Sequence, residues 1–369
     1  DLHSFPTRRS SDLAIVMPAT VSDGTNEYNV DYLGDFMMED AQANIKEVVV
    51  KHTPKYIGAN AFANADAFLC DDVDDMSTIR FEYDKATFNG QYNEGTNLYM
   101  KKSVAEACLE DDKWADLTDV IQWQVPLPVI STTYGTFSRE FAVDLDAINP
   151  DKENPNVIAF TAGTPTYDSK NNLVTVQMVS INHTGSDPEG SSGDGDGTFI
   201  PANTGVLLKA YNGSTTAFNK ATTDATGATT EASGDYYQIA ETQTESYGGA
   251  NLMASVTEHS RTIQPTETVD GVEYTNFYVS GGKLWSFTQP RTSTVHKSYL
   301  QVADFPAGAK LALSFVEPDD EADSTVTGIE SVDMTEDDAN AVYYNLQGQK
   351  IDGPQKGIYI KNGKKYVKH

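Results

Sequence analysis

Between residues 126 and 318 the chain is a succession of short apolar runs cut apart by Gly, Asn, Asp, Ser and Thr, with scarcely any recurrence at helical spacing. A core-facing helix needs apolar residues every three to four positions over ten or more residues, so this pattern excludes a helical bundle and predicts strands. We place strands at 141–145, 157–161, 173–181, 205–211, 236–240, 276–280, 283–288, 298–302 and 309–316. The Gly281-Gly282 pair between two of them is a hairpin signal, because glycine supplies the positive φ of a tight two-residue turn. The expectation for 126–318 is an all-β, sandwich-like domain.

Residues 14–125 carry a different mixture. A β-branched run at Val48, Val49 and Val50 precedes Ile57-Gly58 and then Ala61-Phe62. That order of strand, glycine turn and buried aromatic suits one coil of a solenoid, whose units bury their apolar faces on one another. Downstream, Ser103 followed by Glu106 is a capping-box pattern that opens a short helix with Val104, Ala107 and Cys108 on one face. Cys108 is then a small buried apolar group. A Cys70–Cys108 disulfide stays open as an alternative, since spacing alone cannot place two Cα atoms within bridging range.

These residues resemble the BspA-type leucine-rich repeat, whose units carry an IGxxAFxNC-like core. Ile57, Gly58, Ala61, Phe62 and Asn64 match it, and Ala65 stands where the family often has Cys. MSTIRFEY, NLYMKKSVAEACLEDDKW and TDVIQW resemble the family's terminal unit, in which a strand, a lysine-containing turn and a Trp-ended helix close the array. The resemblance implies a mainly β chain that begins with the end and cap of an α/β solenoid, with earlier repeats upstream. It also implies that the strand face of the repeats is the binding surface.

Residues 342–369, VYYNLQGQKIDGPQKGIYIKNGKKYVKH, form a small C-terminal β-module, because Gly348, Gly357 and Asn362-Gly363 punctuate strand-like runs into two hairpins. The tail holds six Lys and one Asp, a charge of +5 inside a formal total of −28, which leaves −33 on the rest. It resembles the C-terminal sorting segment of type IX secretion cargo. The likeness rests on Tyr344, Leu346 and Gly348 of the YNLQGQK turn, on Gly357, Ile358 and Tyr359 of the KGIYI strand, and on Gly363 and Lys364 of the NGKKYVK end. His369 replaces the usual closing apolar residue. The resemblance implies export from a Gram-negative anaerobe to the extracellular or outer-membrane surface, with the secretion machinery as a partner. TFIPANTGVLLKAYNG, ANLMASVTE, NFYVSGGKLWSFT and KSYLQV resemble a β-module that recurs before such tails and carries no known activity over.

Two stretches are poor in core-forming residues. Residues 212–235 read as a long surface loop. Residues 317–340 hold ten acidic residues and no Lys or Arg, so 319–341 reads as a solvated acidic linker extended by like charge. At the other end, residues 1–13, DLHSFPTRRSSDL, resemble the in-frame translation of a sequencing adapter and are set apart from the fold. The expected order is thus 1–13 artefact, 14–125 repeat and cap, 126–318 all-β domain, 319–341 linker and 342–369 sorting module.

The acidity repels nucleic acid and anionic lipid. No run approaches the roughly 20 apolar residues that span a bilayer. A hydrolase would need a positioned nucleophile and base, and the sequence has no G-x-S-x-G, H-E-x-x-H or P-loop. His52, His183, His259 and His296 have no sequence partner at ligand spacing. The sharpest metal candidate is a calcium loop formed by Asp187, Glu189, Asp194 and Asp196, although Phe199 occupies the glycine position of an EF-hand numbered from Asp194 and the twelfth position lacks Glu. The alternative is a plain acidic loop, and no cofactor is expected. Trp285 is the candidate for contact with a glycan, since alternation puts Leu284 and Trp285 on opposite faces of a sheet. Trp114 and Trp123 sit at apolar spacing in the cap and read as core.

The functional expectation is a non-enzymatic adhesion protein binding host, matrix or neighbouring-cell protein or glycan, through a repeat surface largely outside this fragment. The alternatives are the accessory β-modules and sorting tail of a secreted polysaccharide-processing enzyme, or a carbohydrate-binding protein.

Overall fold

The computed structural model describes residues 13–35, 45–58, 61–62, 65–70, 79–81, 97–130, 133–151, 154–181, 197–211, 215–223, 228–244, 247–257, 259–280, 283–316, 329–332, 343–344, 350–351, 357–361 and 364–368. The chain is mainly β. Up to residue 99 it alternates between two parallel sheets, apart from an antiparallel pair at Thr20–Ser22 and Glu27–Asn29. Leu13–Met17, Ile45–Val50, Asp66–Leu69, Leu98–Tyr99 and Ile121–Gln122 form a five-stranded sheet in chain order, while Tyr32–Leu33, Tyr56–Ile57 and Arg80–Phe81 form a three-stranded one. Each pass therefore stacks on the last.

The space between the two sheets is filled by Leu33, Val48, Val50, Ile57, Phe62, Ala67, Leu69 and Leu98, together with Trp114 and half-buried Trp123. Phe62 is 1% exposed. Gly58 is required by close approach: a Cβ there would lie 2.5 Å from the Asp35 nitrogen and 2.8 Å from the Gly34 carbonyl carbon. Asn64 lies outside the described residues.

The Lys102–Glu110 helix forms where the capping pattern predicts one, but its start differs. Lys101 occupies the N-cap position and no side chain of the helix caps it. The Ser103 amide and hydroxyl instead donate to Glu241, at 2.9 and 2.5 Å. A carboxylate brought from the β region thus serves the exposed donors of the helix N-terminus, where negative charge is favoured. The buried residues are Val104, Ala105 and Cys108, not Ala107. Cys70 and Cys108 are both buried thiols and are not bridged, and they belong to different core clusters.

All nine strands predicted between 126 and 318 are present. Three sheets stack from them. A four-stranded sheet runs Val125–Pro126, Tyr236–Ile239, Val143–Asp144, Phe199–Ile200. A six-stranded sheet runs Tyr134–Phe137, Val206–Ala210, Val157–Asp168, Leu173–Ser180, Lys310–Val316, Ile329–Val332. A five-stranded sheet contains Met253–Val256, Lys297–Ala303, Val272–Ser280, Thr266–Val269 and Lys283–Ser286. One pair, Leu173–Ser180 with Lys310–Val316, is parallel.

Strict alternation distributes the six-stranded sheet between two cores. Val157, Ala159, Val206 and Leu208 face one cluster, and Ile158, Phe160 and Leu207 face the other. The second cluster fills the gap to the five-stranded sheet through Phe277, Leu284, Leu300 and Val302. The first continues into the parallel sheet, where Val49, Phe68, Cys70 and Tyr99 pack with Phe137, Phe141, Val143 and Tyr237.

That continuity corrects one expectation. The outer face of the five-stranded parallel sheet, expected to be a binding surface, is not free for a ligand, because the β region covers it; Val49 is 0% and Phe68 2% exposed. Two polar stretches also fold more than their composition indicates. Within 215–235, Thr222–Thr223 pairs with Thr229–Thr230, and Asn219 bridges Ser233. Within the acidic stretch, Ile329–Val332 pairs antiparallel with Lys310–Val316, so the solvated-linker reading does not hold for those four residues.

Candidate functional site

Of the residues singled out in sequence, Asp187, Glu189, Asp194, Asp196 and His183 lie outside the described residues, as do Leu346, Gly348 and Gly363. Tyr344, Gly357, Ile358, Tyr359 and Lys364 fall in strands of one four-stranded antiparallel sheet, in the order Lys350–Ile351, Tyr343–Tyr344, Gly357–Lys361, Lys364–Lys368. Among the described residues those strands pair only with one another.

Trp285 lies opposite Tyr278 on the hairpin, with Leu284 buried on the other face as alternation requires. The indole is half-buried, and its N–H donates to the Ser280 carbonyl at 3.0 Å. The polar end that would orient a sugar is therefore already engaged.

The densest collection of ionisable groups was not foreseen from sequence. Arg139 and Glu140 extend from the β region toward Glu47 of the parallel sheet, and His296 reaches them from the turn before Lys297–Ala303. The Arg139 Nη2 donates to Glu47 Oε2 at 2.7 Å, and Nη1 donates to the Tyr237 hydroxyl at 3.0 Å. Its Nε stands 3.3 Å from Glu140 Oε2, an ion pair without hydrogen-bond geometry. The guanidinium carbon lies 4.5 Å and 4.6 Å from the ring centroids of Phe68 and Phe141. His296 Nε2 is 3.1 Å from Glu140 Oε1, while Nδ1 is 3.5 Å from Arg139 Nη1. This arrangement is satisfied by the tautomer that carries its proton on Nε2, with Nδ1 accepting from the guanidinium. At φ 62° His296 occupies the left-handed region, which His adopts more readily than most residues in turns.

The electrostatics are self-consistent. Burial opposes the charge on Arg139, but Glu47 and Glu140 more than offset it and its pKa is raised. Burial likewise opposes ionisation of Glu140, and the Arg139 charge with the His296 hydrogen bond more than offsets that, holding the carboxyl below its ordinary value. Tyr99 and Tyr237 are pushed up by burial and remain phenols. Asp66 is different. Burial raises its pKa, and two hydrogen bonds from Asn97, at 2.8 and 3.0 Å, compensate only in part.

The cleft at this junction, lined by Glu47, Asp66, Tyr99, Arg139, Tyr237 and His296, holds about 190 Å³. That is below the range of about 300–1,000 Å³ usual for small-molecule sites. Arg139 already engages acids, a phenol, an imidazole and two aromatic rings, so the cluster's chemistry is that of a junction holding two regions in register. Two further polar ties reinforce it: Ser103 with Glu241, and Lys220, whose Nζ donates to the Asp119 carbonyl at 2.6 Å and to Asn97 Oδ1 at 3.3 Å.

The residues most available to a partner lie on the three-stranded sheet instead. Tyr32 and Tyr56 are in register on adjacent parallel strands, with Arg80 at the next register position. Tyr32 is 71% exposed, its ring centroid is 6.0 Å from that of Tyr56, and the Tyr56 hydroxyl donates to Asp35 at 3.1 Å. The sequence signal for this pair was present in the recurrence of Tyr beside the buried Leu33 and Ile57.

No family model, curated protein or solved structure matches this chain.

Proposed function

We propose that this protein is a non-catalytic binding protein displayed at a cell surface, built from the end of a repeat array, a layered β region and a C-terminal export module. The alternation of strands between two parallel sheets supports reading residues 14–125 as successive coils of a solenoid. The observation that carries the binding reading is the Tyr32–Tyr56 pair. An aromatic ladder left open on a stacked parallel sheet offers rigid contact area at low entropy cost, and each further coil would add a rung. A stable protein interface needs about 1,600 Å² in total, more than two rungs supply, so a partner must span several coils.

The test is attachment of cells displaying the chain to matrix protein and to glycan-coated surfaces. Replacing Tyr32 and Tyr56 together by Ala should reduce attachment at least tenfold while leaving the melting temperature unchanged; unaltered attachment would refute the assignment. Export is tested separately. Among the described residues the tail strands pair only among themselves, which suits a detachable signal, and deleting residues 342–369 should strand a folded protein in the periplasm. Undiminished surface delivery would reject that role.

A further inference from the structure

A groove of about 430 Å³ opens between the Tyr134–Phe137 strand and the region formed by Arg261–Ile263, Arg291–Ser293 and the start of Lys297–Ala303. Its volume lies within the range usual for small-molecule sites. Its charge is anomalous for this molecule. The chain has 54 acidic and 26 basic side chains, so any Lys or Arg is outnumbered two to one by carboxylates. Several cations elsewhere follow that expectation: Arg139 pairs with Glu47 and Glu140, Arg261 with Glu267, and Lys55 with Asp31. Among the described residues lining the groove, the charged ones are Arg291 and Lys297, and none is a carboxylate.

Neither cation is neutralised by an acidic neighbour among the described residues. Arg291 lies over Tyr278, its guanidinium carbon 4.8 Å from the ring centroid, which fixes the side chain without cancelling its charge. Lys297 has its pKa lowered, and burial is the one cause. A cation removed from water without a counter-charge is costly. A third wall residue, Tyr299, is 1% exposed and leaves its hydroxyl buried with no hydrogen-bond partner. The charges that act on this phenol are those of Arg261 and Glu267, so the need for a partner from outside the chain comes from the two unneutralised cations. The remaining wall is rich in hydroxyls, among them Thr136, Ser280 and Thr294.

We propose that this groove binds an acidic saccharide, with Arg291 and Lys297 receiving its carboxylate or sulfate and the surrounding hydroxyls meeting its ring. The guanidinium offers a planar fork suited to two oxygens, and the ammonium adds a point charge; charge-assisted hydrogen bonds of this kind are the strong ones. The inference rests on the surface-binding reading and specifies a ligand class for the β region that is independent of the tyrosine ladder.

The experiment is titration calorimetry of the full chain with glucuronate, with a sulfated disaccharide and with glucose, at low salt and again at 0.15 M salt. Glucuronate or the sulfated sugar should bind at least tenfold more tightly than glucose. Lys297→Met and Arg291→Met should each lose at least tenfold, and Lys297→Arg should retain most of the affinity. Melting temperatures check folding, and Lys297→Met should not lower them, because the change removes an unneutralised, half-buried charge. Preference for carboxylate over sulfate, or the reverse, identifies which group the groove takes. Equal binding of glucose, no binding of either acidic sugar at millimolar concentration, or acidic-sugar binding unaffected by both Met substitutions would overturn the inference. A silent groove together with attachment that still depends on Tyr32 and Tyr56 would sink this proposal alone; tyrosine-independent attachment would sink the broader one.

Discussion

Arg139→Met puts the junction to its most direct test. The side chain is 4% exposed and Glu140 beside it is 1% exposed, so removing the cation strands a carboxylate that water cannot reach. Breaking a buried pair from one side costs about 3–5 kcal/mol, most of it the penalty of the charge left behind. Glu47, at 24% exposed, recovers part of its hydration and adds less. The double variant Arg139→Met with Glu140→Gln removes the stranded charge and should regain most of the loss, since apolar or neutral replacement of a buried ion pair is often close to neutral. The pH dependence gives a second reading with a definite sign. In the wild type the Glu140 pKa is lowered, so its contribution is present above the unfolded value of 4.5 and is lost as pH falls through the folded one. In Arg139→Met the chief depressing charge is gone and burial raises the same carboxyl, so protonation relieves the variant as pH falls. The gap between the two proteins, measured by urea unfolding, should therefore narrow steadily between pH 7 and pH 4. A loss under about 1 kcal/mol, or a gap that stays constant across that window, would refute the claim that a stranded Glu140 dominates.

Phe62→Ala should cost about 3–5 kcal/mol in the same assay, because it empties a fully buried aromatic site between the two parallel sheets. Gly58→Ala should destabilise by about 1–3 kcal/mol, since the new methyl meets backbone atoms of Gly34 and Asp35 that have little room to give. Asp66→Asn should stabilise at neutral pH: the raised pKa means the wild-type carboxyl favours folding below its unfolded value of 3.8 and loses that contribution as pH rises. The Asn oxygen can still accept both Asn97 hydrogen bonds. The advantage should shrink as pH falls toward 4, and a pH-independent difference in melting temperature would count against the burial argument.

What could be read from sequence was local. The nine strands of the β region announced themselves because short β-branched and aromatic runs between turn formers have no competing helical period, and Leu173–Ser180 alternates buried and less buried residues along most of its length. Strands with no such contrast escaped notice: Thr222–Thr223, Arg261–Ile263 and Thr266–Val269 are polar or threonine-rich and hold their place through ladders. Ile329–Val332 was hidden by the acidic composition around it. The helix start shows the limit most clearly, for Ser103 and Glu106 had the right spacing to cap each other and the carboxylate that serves instead is Glu241, 138 positions away. Arg139 is similar. An Arg-Glu pair inside the apolar run from Phe137 to Leu145 was a visible anomaly, yet its partners Glu47, Tyr237 and His296 lie 92, 98 and 157 positions distant.

The burial of the parallel sheet on both faces also decides where binding area can reside. Parallel strands need both faces covered, and here one face is served by the core between the two parallel sheets and the other by the β region. Ile15 and Val16, on the edge strand Leu13–Met17, already divide between those two cores while remaining half-buried. Under the proposed solenoid reading, a further coil pairing with that edge would bury its inner face on the same core, but its outer face would be covered only as far as the β region reaches. The three-stranded sheet carries no such covering at Tyr32, so under the proposed binding reading its exposed face, and not the five-stranded one, is where contact area could grow. Under the proposed reading, binding strength scales with Tyr-bearing rungs, and appending coils whose outward position is Ala should lengthen the molecule without strengthening attachment.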